Sequence, residues 1–305
     1  MRITRKVQKI LTQYESDCPG TKMNLARILS QGKLAGTGRM VILPVDQGFE
    51  HGPDRSFATN DAAYDPHYHF KLAIDAGLSA FAAPLGMLEA GASSFAGAIP
   101  TILKMNSANS LVSSDIKNQA VTASVQDALR LGCSAIGFTI YPGADDTYEM
   151  YEEIKELALE AKEVGLAVVI WSYPRGNMSQ PGETGIDVIS YAAHMAALLG
   201  AHIIKVKLPS SHVESSISQE IYQRNDMIFG TMKDRVRHVV KCCFNGRRLV
   251  VFSGGSTKDS ESIVEDAKAI HAGGGNGSII GRNVFQRPRE EALSLLNNLV
   301  QVYKG

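Results

Sequence analysis

Gly200-Ala201-His202-Ile203-Ile204-Lys205-Val206-Lys207-Leu208 is an apolar run that carries two lysines near its C-terminal end. It has the length of a strand, along which successive side chains alternate faces. Ile203, Lys205 and Lys207 therefore share one face, and His202, Ile204, Val206 and Leu208 the other. An ammonium group turned into a protein interior is costly unless it is paired or gives up its proton. A neutral amine in a pocket is the nucleophile with which a carbonyl compound forms a Schiff base. The plainer alternative is a salt-bridged lysine at a strand end on the surface. Periodicity does not separate Lys205 from Lys207 in this respect.

Outward from this stretch, strand-like and helix-like segments alternate from Arg39 onward. Strands are predicted at Met40–Val45, Ala80–Leu85, Ile99–Met105, Ala135–Tyr141, Ala167–Tyr173, His202–Leu208, Arg248–Phe252 and Gly277–Ile280. Helical spacing of apolar residues falls between them, at Tyr68–Ala76, Ile116–Leu131, Thr147–Glu163, Ile186–Leu199, Asp259–His271 and Glu290–Val302. About eight βα units in one chain is the count of a (β/α)₈ TIM barrel. Strands that are apolar almost throughout suit a parallel sheet covered on its outer face. Residues 1–38 read as a helical extension, with Val7, Ile10 and Leu11, then Leu25, Ile28 and Leu29, at helical spacing. Phe49–Asp65 reads as a long loop, and Ser210–Phe244 as a loop plus one or two helices. Nothing marks a second domain, so residues 1–305 are expected to form one barrel domain.

Composition narrows the function. Lys+Arg and Asp+Glu are both 31, and no basic stripe interleaves with aromatics, which argues against a nucleic-acid partner. No apolar run approaches the roughly 20 residues of a membrane span, and the basic N-terminus lacks the apolar core of a signal peptide. The four cysteines (Cys18, Cys133, Cys242 and Cys243) form no CxxC pair, and a reduced, cytoplasmic location is expected.

In such a barrel, polar groups at the C-terminal strand ends converge on one mouth. Here these are Asp46 after the first strand, Lys104 and Asn106 after the third, Tyr141-Pro142-Gly143 after the fourth and Trp171-Ser172-Tyr173 after the fifth. The sixth strand supplies Lys205 and Lys207. Ser253-Gly254-Gly255 and Gly281-Arg282 end the seventh and eighth, where bare backbone N–H groups and a guanidinium suit phosphate. Each group has a duller reading: a tight turn, a surface charge, a loop cap or a core aromatic. Their joint occurrence in this order carries the functional reading. Asp46, Glu50 and His51 could in principle hold a metal, but one loop histidine makes a thin site, and no metal is expected.

These residues are similar to a known family. The chain resembles the bacterial and archaeal class I fructose-bisphosphate aldolases of the DhnA type, from about Arg39 to Arg287. The carriers are LPVDQGFEHGP (43–53), ILKMN (102–106), TIYPG (139–143), WSYPRG (171–176), Lys205, Ser253–Gly255 and GRNVFQR (281–287). The resemblance implies that Lys205 forms the Schiff base, that Tyr173 is the acid/base, and that Asp46 is the first-strand aspartate. It implies that Trp171 lines the pocket and that Ser253, Gly254, Gly255, Gly281 and Arg282 bind phosphate. Lys104 and Lys207 are further candidates for substrate binding. The implied activity is reversible cleavage of fructose 1,6-bisphosphate with no cofactor beyond the imine, by a homo-oligomer acting on small sugar phosphates. Related enzymes act on other phosphorylated ketoses, and a non-catalytic sugar-phosphate binder is a further alternative. The chain departs from archaeal relatives after Lys207, where Leu208-Pro209-Ser210 replaces a Tyr-Thr-Gly type of turn, and in its longer 210–244 segment.

Overall fold

The computed structural model describes residues 3–112, 117–254 and 258–305. Its eight predicted strands form a closed parallel barrel: β1 (Met40–Pro44), β2 (Ala80–Pro84), β3 (Thr101–Lys104), β4 (Ala135–Ile140), β5 (Ala167–Ser172), β6 (Ile203–Lys207), β7 (Leu249–Ser253) and β8 (Gly277–Ile279). Each strand pairs with its sequence neighbours, and β8 closes on β1. This is the (β/α)₈ arrangement the alternation of segments predicts.

The period of two divides the apolar residues between two cores. Met40, Ile42, Ala80, Ala82, Ile102, Ala135, Val169, Trp171, Ile203, Val251 and Ile279 pack inside the barrel. Val41, Leu43, Phe81, Ile136, Phe138, Ile204 and Val206 pack outward under the helices. The split places Lys205 and Lys207 on the inward face with Ile203, as the alternation along the strand requires.

The N-terminal extension closes the opposite end. Helices α1 (Arg5–Leu11) and α2 (Pro19–Leu29) contribute Val7, Leu25, Ile28 and Leu29 to the inner core, with Tyr14 between them. Burying each aliphatic side chain in full is worth about 2 kcal/mol. Tyr14 is buried at the start of β6 and β7, where its hydroxyl donates to His202 O (2.6 Å) and accepts from Leu249 N (3.3 Å).

Two expectations are corrected. The helix expected over Ile116–Leu131 is confined to Val125–Arg130, and Ile116 lies outside the described residues. Ala120–Val121 pairs instead with Asn106–Ser107, and Thr122 N donates to Met105 O (2.7 Å), so this backbone is engaged before a helix can form. The helix starts at Ser124, whose hydroxyl accepts from Asp127 N (3.1 Å) while the Asp127 carboxylate accepts from Ser124 N (3.0 Å). Phe49–Asp65 is likewise no extended loop, because Gln47–His51, Pro53–Phe57 and Asp61–Tyr64 are short helical turns. The 210–244 segment holds two helices, Ser216–Arg224 and Met232–Cys242. Among the described residues no helix is long and apolar enough to cross a membrane.

Candidate active site

A cavity of about 1090 Å³ opens at the C-terminal ends of the strands. Asp46, Tyr173, Lys205, Lys207, Ser253, Gly254, Gly281 and Arg282 all line it. Gly255 lies outside the described residues. Lys104 and Trp171 are almost wholly buried beneath the cavity, not on its surface.

Lys205 stands opposite Trp171 across the β5–β6 pair and opposite Val251 on β7. Its Nζ lies 5.5 Å from the centre of the Trp171 ring and 5.2 Å from that of Tyr173. Burial pushes the amine down to about 8, against Asp46 and Glu50, while Lys104 and Arg282 add to the depression. A nucleophilic amine needs a pKa in this range to be substantially neutral near physiological pH.

Lys104 differs from the expected substrate contact in a physically specific way. Its Nζ donates to the Asn106 backbone oxygen, to Asn106 Oδ1 (2.8 Å) and to Gln119 Oε1 (3.1 Å). An ammonium has three hydrogens, so all three donors are taken within the protein. Gln119 is held in turn, donating from Nε2 to the Tyr141 hydroxyl (2.6 Å). Asn106 is locked by Thr139, accepting from its N–H and donating to its carbonyl, both at 2.8 Å.

Acidic groups face the two lysines. Asp46 Oδ1 is buried with no hydrogen-bond partner among the described residues, although the Asp46 charge acts on both Lys104 and Lys205. One helical turn on, burial and the Asp46 charge push Glu50 up to about 7, against the pull of Lys104, Lys205 and Arg282. Tyr173 is raised well above the ordinary phenol range by burial, then by Asp46 and Glu50, while its bond with Ser253 acts the other way. Its hydroxyl is therefore protonated at neutral pH and enters chemistry as a donor.

At the β7–β8 end, Ser253, Gly254, Ile280, Gly281 and Arg282 form the wall. A β-carbon at Gly281 would lie 2.5 Å from the Pro44 carbonyl, so only glycine lets this turn pass the end of β1. Asn283 ties the two loops together, accepting from Lys258 N at its side chain (2.9 Å) and from Arg287 Nε at its carbonyl (2.7 Å). Across the cavity, Lys207 pairs with Glu183 Oε2 (3.2 Å), and Arg175 pairs with the same oxygen. Burial, then the Arg175 charge, lowers the Lys207 pKa.

Glu50 and Gln119, which line the cavity, and Glu183, which pairs with Arg175 and Lys207 at its edge, are groups that strand-end reasoning does not find as such. Glu50 stands four residues after Asp46, one helical turn, but the Gly- and Pro-rich composition around it conceals the helix. Gln119 and Glu183 carry no local signal. Among the described residues no group of three or more His, Cys, Asp or Glu is arranged to hold a metal ion.

Comparison with known proteins places this arrangement in context. Residues 40–287 match the sequence profile described as DeoC/LacD family aldolase. A probable class 1 fructose-bisphosphate aldolase of Chlamydia muridarum is 34% identical over 292 residues, covering 92% of this chain and 83% of its own length. The class 1 fructose-bisphosphate aldolase of Thermoproteus tenax is 32% identical, covering 89% and 92% respectively. A solved archaeal fructose-1,6-bisphosphate aldolase, with its catalytic Lys covalently bound to the carbinolamine intermediate of the substrate, superposes with a TM-score of 0.74. It is 30% identical, and the match covers 88% of this chain and 95% of that one.

Proposed function

This chain belongs to the DeoC/LacD family of aldolases, and we propose that it is a class I fructose-1,6-bisphosphate aldolase working through an imine on Lys205. The observation that carries the reading is the buried Lys205 amine, pushed down to about 8 and seated between Trp171 and Tyr173 in a cavity walled by Gly254, Gly281 and Arg282.

The Lys205 amine adds to the C2 ketone of the open-chain sugar. Tyr173, as a phenol, donates the proton with which the carbinolamine hydroxyl leaves as water. The iminium then accepts the electrons of the C3–C4 bond as a base removes the C4 hydroxyl proton, and glyceraldehyde 3-phosphate departs. Protonation of the enamine at C3 and hydrolysis return the amine and release dihydroxyacetone phosphate. Asp46, whose Oδ1 has no hydrogen-bond partner among the described residues, is suited to hold substrate hydroxyls or take the proton and to stabilise the cationic iminium. Ser253, Gly254, Gly281 and Arg282 are assigned to one phosphate. Gly255 is assigned there by sequence alone. Arg175 and Lys207, which share Glu183, are suited to the second. Trp171 backs the amine from below. The reading needs no metal.

The same reading includes self-association through the outer helices, supported by the exposed Tyr148, Tyr191 and Leu198, and a cytoplasmic setting, supported by four free cysteines. The test is borohydride reduction in the presence of fructose 1,6-bisphosphate, followed by peptide mass mapping. One covalent sugar phosphate at Lys205, lost in Lys205→Met, is expected, with activity that survives EDTA. Full activity of Lys205→Met would overturn the assignment.

A further inference from the structure

Lys104 and Lys205 flank one indole, their Nζ atoms 6.0 and 5.5 Å from the centre of the Trp171 ring. Burial presses both amines down to about 8. Burial therefore does not decide which of the two keeps a proton when only one is bound, and their titrations are linked.

Their hydrogen bonds do differ. Three acceptors converge on Lys104 Nζ: the Asn106 backbone oxygen, Asn106 Oδ1 (2.8 Å) and Gln119 Oε1 (3.1 Å). Only an ammonium can satisfy three acceptors; a neutral amine would turn its lone pair toward one of these oxygens. Lys205 Nζ makes no hydrogen bond among the described residues, and its neighbours are the faces of Trp171 and Tyr173. Gln119 presents Oε1 to Lys104 while its Nε2 donates to the Tyr141 hydroxyl (2.6 Å), so both ends of the amide are engaged.

We propose that Gln119, together with Asn106, is a positioning residue that holds Lys104 as a cation and so leaves Lys205 as the free amine. The inference rests on the reading of Lys205 as nucleophile. The other charged groups around the pair act alongside this device. Asp46 and Glu50, from the segment after β1, favour the proton on both lysines. Arg282, from the segment after β8, opposes it on Lys205 and so acts in the same sense as Lys104. Gln119 has no charge of its own. It acts only through Lys104.

The experiment measures the pH dependence of kcat/KM and of borohydride trapping for the wild type, Gln119→Met, Lys104→Met and the double variant. Gln119→Met is expected to move the acid limb upward by about one pH unit, with activity restored at higher pH. Lys104→Met is expected to move it too, and Gln119→Met to add nothing in that background. An unmoved limb in Gln119→Met, or an equal shift in both backgrounds, would overturn the inference, since a merely structural loss is felt with or without Lys104. Lysine side-chain NMR of the wild type gives a variant-free check: Lys205 should lose its proton at lower pH than Lys104, and the reverse order overturns the proposal. Trapped label absent from Lys205 in the wild type would remove the nucleophile assignment and this inference with it. Label at Lys205 with an unmoved limb would remove this inference alone.

Discussion

Gly137 on β4 lies directly against the Trp171 indole of β5. A β-carbon built at Gly137 would fall 2.0 Å from Cζ3 of that ring and 2.2 Å from Cη2. The missing side chain is the space the tryptophan fills, and the tryptophan is the surface on which Lys104 and Lys205 rest. A residue with no functional group of its own thus sets the position of the reactive amine.

Gly137→Ala is accordingly expected to displace the indole and to destabilise the barrel by about 1–3 kcal/mol, the usual consequence of overpacking. Trp171 is the only tryptophan in the chain, so its fluorescence reports this site alone. A shifted emission maximum, a lower urea midpoint and slower borohydride trapping should appear together. An unchanged spectrum would mean that the ring is not held by this contact.

Activity should rise as pH passes through about 8. The Lys205 amine is depressed to that value, and only its neutral form attacks a carbonyl, so the acid limb belongs to loss of a proton. Trapping at pH 6 should be about a hundredfold slower than at pH 9, provided attack by the amine limits the rate. A limb near the ordinary lysine value of 10.5 would show that burial does not tune this group.

Tyr173→Phe removes a proton donor without removing the nucleophile. The expected result is a fall in kcat by about 10²–10⁴-fold, while mass mapping still finds reducible adduct at Lys205. Wild-type turnover in the variant would take Tyr173 out of the chemistry.

Glu214 fastens the 210–244 segment to the loop after β5. Its carboxylate accepts from Ser179 N (2.8 Å) and Ser179 Oγ (2.6 Å) and lies 2.8 Å from His212 Nε2. The Ser179 bonds, then the one to His212, lower its pKa from 4.5 to about 2. The stabilisation is therefore complete above about 4.5 and is lost as pH falls from there toward 2. Glu214→Gln should be cut faster by protease within 176–185 at neutral pH and should lack the wild type's extra acid lability in that window. Equal cleavage of both proteins would refute the fastening role.

Tyr14→Phe tests the plug at the other end of the barrel. The Leu249 amide retains a bond to the His202 carbonyl (3.2 Å) when the hydroxyl is lost, so the cost should be small, about 1 kcal/mol. The urea midpoint should fall with kcat unchanged, because the hydroxyl lies at the N-terminal strand ends. A large loss of activity would reveal coupling between the two ends.

The strands were legible because a fully covered parallel strand leaves a local record: four to six apolar residues bounded by polar or glycine-rich turns. The mouth was legible for the same reason, since Asp46, Tyr173, Lys205, Ser253 and Gly281 each follow or end such a run. The segment before Val125 was misread because its backbone bonds to Met105, a partner distant in sequence, and side-chain periodicity says nothing about that pairing. Glu50 was visible only as a possible metal ligand, because the short helical turn joining it to Asp46 contains Gly48 and is cut off at once by Gly52-Pro53, so it leaves no apolar repeat.

What the sequence determined by itself is the number of strands, recorded as apolar runs bounded by turns, and the side of each strand on which a functional group emerges, a consequence of the repeat of two residues. Only the tertiary structure decided what meets each group once it is inside. That Lys104 is surrounded by three oxygens while Lys205 meets two aromatic faces depends on Asn106 beside Lys104, on Gln119 from the segment after β3, and on Trp171 and Tyr173 from the end of β5. Protonation follows from such neighbours across space, and no periodicity along a strand records them.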